Sequence, residues 1–148
     1  MLLLAAAETL ATGNDPATVG CQLQFSTYLG GPNYDRAYAV EVDQDGCVYI
    51  AGRAGPGFPA TAGAIQPNFG GDIVSGPSAA YGKQDGFITK LASDGSRLIW
   101  STYFGDDVAG FIRDLDIDLA GDVYVVSPAN PLATCFSGWC SLRTLYPV

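Results

Sequence analysis

The sequence predicts an all-β protein made of short antiparallel strands, and three observations support this fold class. The 148 residues include 19 Gly and 9 Pro, while only 15% of them are charged, which is typical of a chain with many tight turns. Apolar and polar residues alternate over short segments, and one stretch recurs further along the chain. At this length we expect one domain at most.

An internal repeat organises the strands. The segment 26–52 aligns without a gap on the segment 101–127, at an offset of 75 residues. The identical pairs are Ser26/Ser101, Thr27/Thr102, Tyr28/Tyr103, Gly30/Gly105, Asp43/Asp118, Gly46/Gly121, Val48/Val123 and Tyr49/Tyr124. Repeats of this length indicate stacked or radially arranged supersecondary units.

Within the repeat, apolar residues recur every second position. The residues from Asp114 to Asp118 alternate between aspartate and an apolar side chain, which predicts a strand with one apolar face. Short connections containing Gly lead to strands at 122–126 and, in the first copy, at 47–51, so both copies are predicted as β-hairpins. A further hairpin is predicted between 86–91 and 98–103. The predicted unit is therefore four antiparallel strands.

The connection from Gly52 to Gln84 is long and contains much of the Gly and Pro. Its prolines would interrupt any helix or central strand. A loop of this length inside a compact domain is either functional or packed by its own aromatic side chains. The sequence therefore predicts one long Gly/Pro-rich loop between the two hairpins of the unit.

Short motifs follow one another in a fixed order along residues 23–127. They are S-T-Y-L-G-G at 26–31, A-x-A-V-x-V-D at 37–43, V-Y-x-x-G at 48–52, F-P-x-T-x-G-A-x-Q-P at 58–67, G-G at 70–71 and D-x-F-x-x-K-L at 85–91. In this order they resemble the bacterial and archaeal β-propeller repeat family called SBBP. The resemblance implies a propeller of four-stranded blades, often on exported or surface proteins, and it implies no catalytic residue.

The resemblance divides the chain into three parts. Residues 1–21 are an N-terminal segment, interpreted as the remnant of a preceding blade. Residues 22–127 are the repeat region, with a full blade at about 36–105 and a half blade at about 111–127, and residues 128–148 are a divergent tail. About one and a half blades cannot close a ring of four to eight. We therefore expect further blades in a parent chain, or self-association.

Charge and residue types exclude several classes of function. The formal net charge is −8 and the sequence contains no His, which excludes Ser-His-Asp and Cys-His catalysis and disfavours a nucleic-acid partner. No apolar run approaches the roughly 20 residues of a membrane span. The cysteines Cys21, Cys47, Cys135 and Cys140 lack Cys-x-x-Cys spacing, so they are expected to be buried or disulfide-paired.

Two groups of side chains are candidates for more specific chemistry. Asp43, Asp45, Asp116 and Asp118 resemble parts of an oxygen-rich calcium loop, but Asp-x-Asp-Gly is also hairpin-turn chemistry, and the turn role is favoured. The recurring tyrosines would suit a carbohydrate groove, yet packing between blades requires the same recurrence and is favoured. No catalytic residue and no cofactor is predicted.

The leading hypothesis is a non-catalytic β-propeller scaffold segment of an extracellular or cell-surface protein. Loops projecting from a rigid ring would bind a protein or glycan ligand, and the expected contact residues are Phe58, Gln66, Phe69 and Tyr81. One alternative is a fragment of a propeller-type carbohydrate-active enzyme, a hydrolase or lyase with carboxylates from several blades. The other is a truncated product without independent function.

Overall fold

The computed structural model describes residues 2–11, 19–73, 81–105 and 110–127, and every regular element in them is a β-strand. The strands are β1 (Leu2–Ala11), β2 (Val19–Leu29), β3 (Arg36–Val42), β4 (Val48–Ala54), β5 (Asp72–Ile73), β6 (Lys83–Leu91), β7 (Leu98–Phe104), β8 (Asp114–Ile117) and β9 (Val123–Val126). The predicted all-β class is confirmed. The divergent tail, with Cys135 and Cys140, lies outside the described residues.

The central sheet has the strand order β3-β4-β6-β7, and all of its pairs are antiparallel. The two-residue strand β5 pairs with the first two residues of β6, beyond the end of β7. The two hairpins predicted for the first repeat unit, through residues 44–46 and 93–95, are both confirmed. In the part of the chain that the structure describes, no sheet closes on itself.

The second repeat copy forms a two-stranded sheet, β8-β9, with the same register as β3-β4. Val42 pairs with Val48, and the residues 75 positions later, Ile117 and Val123, pair in the same way. At the other end of the chain, β1 pairs with β2. Because β2 contains the repeat counterpart of β7, the pairs β1-β2 and β6-β7 have equivalent positions in the repeat.

Strands β4 and β6 are buried on both faces of the central sheet, whereas most of β3 is exposed. Successive side chains of a strand point to opposite faces, so the core has two parts. On one face lie Leu29, Val48, Ile50, Ala54, Phe58, Phe87, Leu91 and Tyr103. On the other face lie Tyr49, Ala51, Ile88, Ile112, Leu115 and Val123. The β8-β9 hairpin thus covers one face of the first sheet, while part of the long loop covers the other. Every residue of β4 is buried.

The long loop from residue 55 to 71 runs along β7. The backbone N–H of Thr61 donates to the Ser101 carbonyl at 2.9 Å, and that of Tyr103 donates to the Gln66 carbonyl at 3.1 Å. The Tyr103 hydroxyl accepts from the Phe58 N–H at 2.8 Å and donates to the Gly55 carbonyl at 3.1 Å. The loop is therefore tied to the sheet at several points along its length.

Candidate functional site

The carboxylate of Asp43 holds the first repeat turn together. Its Oδ1 accepts from the N–H groups of Asp45 at 3.0 Å and Cys47 at 2.8 Å, and its Oδ2 forms an ion pair of 3.0 Å with Lys90 Nζ. Burial alone would raise the pKa of Asp43, but the hydrogen bonds and charge of Lys90, together with the backbone donors, hold that pKa below its ordinary value. A calcium ion at Asp43 would have to displace the Lys90 ammonium group.

Asp118 repeats this turn in the second copy. Its Oδ1 accepts from the N–H groups of Ala120 and Asp122, both at 2.9 Å, and its Oδ2 accepts from the Tyr124 hydroxyl at 3.1 Å. The backbone donor of Asp122 is the main cause that lowers the pKa of Asp118. Both repeat aspartates therefore accept hydrogen bonds from the backbone of their own turn, as aspartate commonly does in hairpin turns.

The other two calcium candidates, Asp45 and Asp116, are exposed. Asp116 accepts a hydrogen bond from the N–H of Ile117 at 2.8 Å. Among the described residues, no group of three or more His, Cys, Asp or Glu side chains is placed to hold a metal ion. Cys47 has a free, half-buried thiol, whereas the side chains of the other three cysteines lie outside the described part of the chain.

The four residues expected to contact a ligand occupy different environments. Phe58 is buried, and its ring centroid lies 4.3 Å from that of Phe87. Gln66 donates through Nε2 to Asp85 Oδ2 at 2.7 Å and accepts the N–H of Gly105 at 3.0 Å. Phe69 is half-buried and packs edge-on against Tyr103.

Tyr81, the fourth of these residues, is exposed and lies in a different region of the surface. Its ring stacks on that of Tyr34 with centroids 4.3 Å apart. The guanidinium carbon of Arg53 lies 4.8 Å from the Tyr81 centroid and 5.2 Å from the Tyr34 centroid. Arginine over aromatic rings at such distances is a cation–π contact.

The same region contains two further arginines. The guanidinium carbons of Arg36, Arg113 and Arg53 lie 5.3, 5.4 and 5.9 Å from the ring centroid of Tyr38. Three positive charges thus surround a single tyrosine ring. We call Tyr34, Arg36, Tyr38, Arg53, Tyr81 and Arg113 the arginine–tyrosine cluster.

The strands bring the cluster together at one end of the central sheet. Arg36 begins β3 and pairs with Arg53 near the end of β4. The segment before β8 is attached to the same end, because the Ile112 N–H donates to the Gly52 carbonyl at 3.0 Å. This hydrogen bond places the neighbouring Arg113 beside Tyr38. The cluster therefore depends on both repeat copies.

One buried donor group of the cluster lacks a hydrogen-bond partner within the described structure. Arg53 is only 4% exposed, and its Nε has no hydrogen-bond partner. A buried N–H without an acceptor costs stability, so the Nε of Arg53 is an unfavourable feature of this region.

The nearby carboxylate of Asp35 orients the backbone around the cluster. It is buried, and it accepts the N–H groups of Gly31 at 2.7 Å and Gly55 at 3.2 Å. These bonds join the loop before β3 to the loop after β4. The loop that carries Tyr34 is thereby fixed beside Arg53.

The arginine–tyrosine cluster was not predicted from the sequence, although one signal was present. In the gapless repeat alignment, Arg36 corresponds to Phe111 and Tyr38 corresponds to Arg113, so the two copies exchange an arginine and an aromatic residue. Phe111 also lies near the cluster, with its ring 4.4 Å from the Arg113 guanidinium. Without the fold, nothing showed that these positions meet.

Comparison with known proteins finds no matching family model and no curated protein of significant sequence similarity. In the described residues, no helix is long and apolar enough to cross a membrane.

Proposed function

We propose that the chain is a non-catalytic binding module built from β-propeller-type blades, and that it takes a protein or glycan ligand at the arginine–tyrosine cluster. The observation that carries this proposal is the placement of three guanidinium groups around the ring of Tyr38. Arginine and tyrosine are the residue types that most often dominate binding energy at interfaces.

The exposure of the cluster residues supports a division of roles. Arg36 and Arg113 are exposed and Tyr38 is half-buried, so these three side chains are accessible to a ligand. Arg53 lies underneath and contacts three of the rings, at 4.8, 5.2 and 5.9 Å. It therefore positions the aromatic faces, and a ligand would contact the residues above it.

The sheet supports the scaffold part of the proposal. A sheet of four antiparallel strands is expected of one propeller blade, and here its inner strands β4 and β6 are covered on both faces. The start of a second copy follows at the same register. We propose that further blades of a parent chain, or other copies of this chain, complete the ring. The low charged fraction of the sequence favours an exported or cell-surface protein.

A glycan and peptide array probed with the full chain tests this function. We expect binding without release of reducing sugar, and at least a tenfold loss of affinity for the bound ligand in Arg113→Gln. Arg97→Gln is the matched control, because Arg97 is an exposed arginine outside the cluster and its loss changes the net charge equally. Binding that is unaffected by both Arg36→Gln and Arg113→Gln, or turnover of the ligand, would contradict the proposal.

A further inference from the structure

The ligand class can be narrowed from the chemistry of the accessible side chains. Arg36 and Arg113 contribute guanidinium groups near Tyr38. A guanidinium presents its N–H groups as a planar fork that matches the two oxygens of a carboxylate. The exposed part of the cluster is therefore suited to an oxyanion.

The aromatic part of the cluster requires a second feature of the ligand. The ring of Tyr81 is 41% exposed and lies beside the Arg53 guanidinium. Aromatic faces bind flat apolar surfaces such as the C–H face of a sugar ring, and the tyrosine hydroxyl adds a polar group at the edge. An anion on a sugar would use both kinds of side chain, whereas a free inorganic ion would use only the arginines.

The overall charge of the chain limits how many anionic groups the ligand carries. With a formal net charge of −8, the protein repels a dense polyanion such as a nucleic acid, which has one charge for about every 1.7 Å of its axis. A single carboxylate on an otherwise neutral ligand experiences little of this repulsion beyond a Debye length of about 8 Å. An isolated charge is therefore favoured over a run of charges.

Resting on the proposed function, we infer that the cluster binds an acidic sugar residue of a glycan. Arg36 and Arg113 would hold the sugar carboxylate, and the exposed ring of Tyr81 would contact the sugar ring. This assigns the cluster a specificity for uronic-acid-type residues over their neutral counterparts, which differ only in having a hydroxymethyl group where the carboxylate stands.

Calorimetric titration of the full chain with two matched oligosaccharides tests this inference. One ends in glucuronic acid and the other, otherwise identical, ends in glucose. We expect at least tenfold tighter binding of the acidic oligosaccharide, a preference abolished in Arg36→Gln and Arg113→Gln and kept in Arg97→Gln. Thermal melting of each variant verifies that it is folded.

Two further experiments vary the pH and the ligand. The preference should be constant from pH 5 to pH 8, because the chain has no His to change its charge in that range. A glutamate-containing peptide of equal charge and a single-stranded oligonucleotide should bind more weakly than the acidic oligosaccharide. Equal or tighter binding of either one overturns the acidic-sugar inference.

The failures of the two proposals are distinguishable. Equal affinity for the acidic and neutral oligosaccharides, with both lost in Arg113→Gln, overturns the carboxylate specificity and leaves the cluster as the binding site. A preference for the acidic sugar that persists in both arginine variants shows that binding occurs elsewhere, and it overturns both proposals. Absence of binding to every probe also overturns both.

Discussion

The hairpins β3-β4 and β8-β9 have the same register and the same turn, yet their side chains lie in different environments. In the first, the N–H of Gly46 donates to the Asp43 carbonyl, and in the second Gly121 donates to Asp118, both at 3.0 Å. The two glycines have φ angles of 78° and 83°, which other residues rarely adopt. Short-range chemistry therefore decides the turn in both copies.

Burial differs because only the first hairpin continues into a described four-stranded sheet. Tyr49 on β4 is 2% exposed, while its repeat counterpart Tyr124 on β9 is 48% exposed. The Oδ2 atom of the turn aspartate also has a different partner in each copy. In the first copy Asp43 Oδ2 pairs with Lys90 of β6, and in the second Asp118 Oδ2 accepts from the Tyr124 hydroxyl. The comparison shows that equal sequence signals produce equal hairpins, and that the neighbouring strands determine how much each hairpin contributes to the core.

The largest expected difference is between the two equivalent tyrosines. Tyr49→Ala should lower the free energy of unfolding by about 3–5 kcal/mol, since it removes a fully packed aromatic ring. Tyr124→Ala should lower it by about 1 kcal/mol, as for most partly exposed sites. Urea denaturation at pH 7 measures both, and Tyr49→Leu serves if the alanine variant is largely unfolded. Equal losses at the two positions would show that the second hairpin is as well packed as the first.

The hydroxyl of Tyr103 offers a second matched comparison, because its repeat counterpart Tyr28 is 65% exposed while Tyr103 is 2% exposed. Tyr103→Phe leaves the Phe58 N–H and the Gly55 carbonyl without this buried partner, so we expect a loss of about 1–3 kcal/mol. Tyr28→Phe should change stability by less than about 0.5 kcal/mol. Faster hydrogen exchange at the Phe58 amide should accompany only the Tyr103 change. Unchanged exchange there would show that the hydroxyl does not hold the loop.

The smallest effect concerns the ion pair between Lys90 and Asp43. Lys90→Met should reduce stability by about 1 kcal/mol at pH 7, because the pair is partly shielded from water and the methionine keeps the apolar stem. In the folded protein the pKa of Asp43 lies below its ordinary value of 3.8. The pair therefore stabilises the fold above that pH, and its contribution is lost as the pH falls through the lowered pKa.

The stability gap between wild type and Lys90→Met should accordingly be widest near neutral pH and narrow as the pH falls below 3.8 and through the lowered pKa of Asp43. Urea denaturation at a series of pH values from 7 to 2.5 measures this gap. Arg97→Gln provides the charge-matched control, since it removes one positive charge from an exposed turn. A gap that stays constant across the acid range would contradict the assignment of Asp43 as the partner.

The hairpins could be predicted because their signals are local. Alternation at 114–118 and the Asp-x-Asp-Gly turn at 43–46 lie within a few residues of their partners, and the structure confirms the corresponding strands. The register of β8-β9 also follows from the repeat alone. The turn role of Asp43 and Asp118 was favoured for the same reason, and their hydrogen bonds agree with it.

The binding cluster could not be predicted because its members are distant in sequence. Arg36 and Arg113 are separated by two whole hairpins and a long loop, and they meet only because the second copy packs on the end of the first. Phe58 shows a different difficulty, in which one sequence signal fits two roles. An aromatic residue in a Pro-rich loop has the same sequence signal whether it binds a ligand or fills the core, and here the structure places it in the core.

The loop that runs along β7 also affects how the molecule behaves in a crowded solution. An uncovered strand edge offers N–H and C=O groups to any passing chain and is a common start of aggregation. On β7 the N–H groups of Ser101 and Tyr103 are already bound to Thr61 Oγ1 and the Gln66 carbonyl. The covering segment also contains Pro56, Pro59 and Pro67, which have no backbone N–H to offer to another strand. The long loop thus protects one edge of the sheet from pairing with a strand of another molecule.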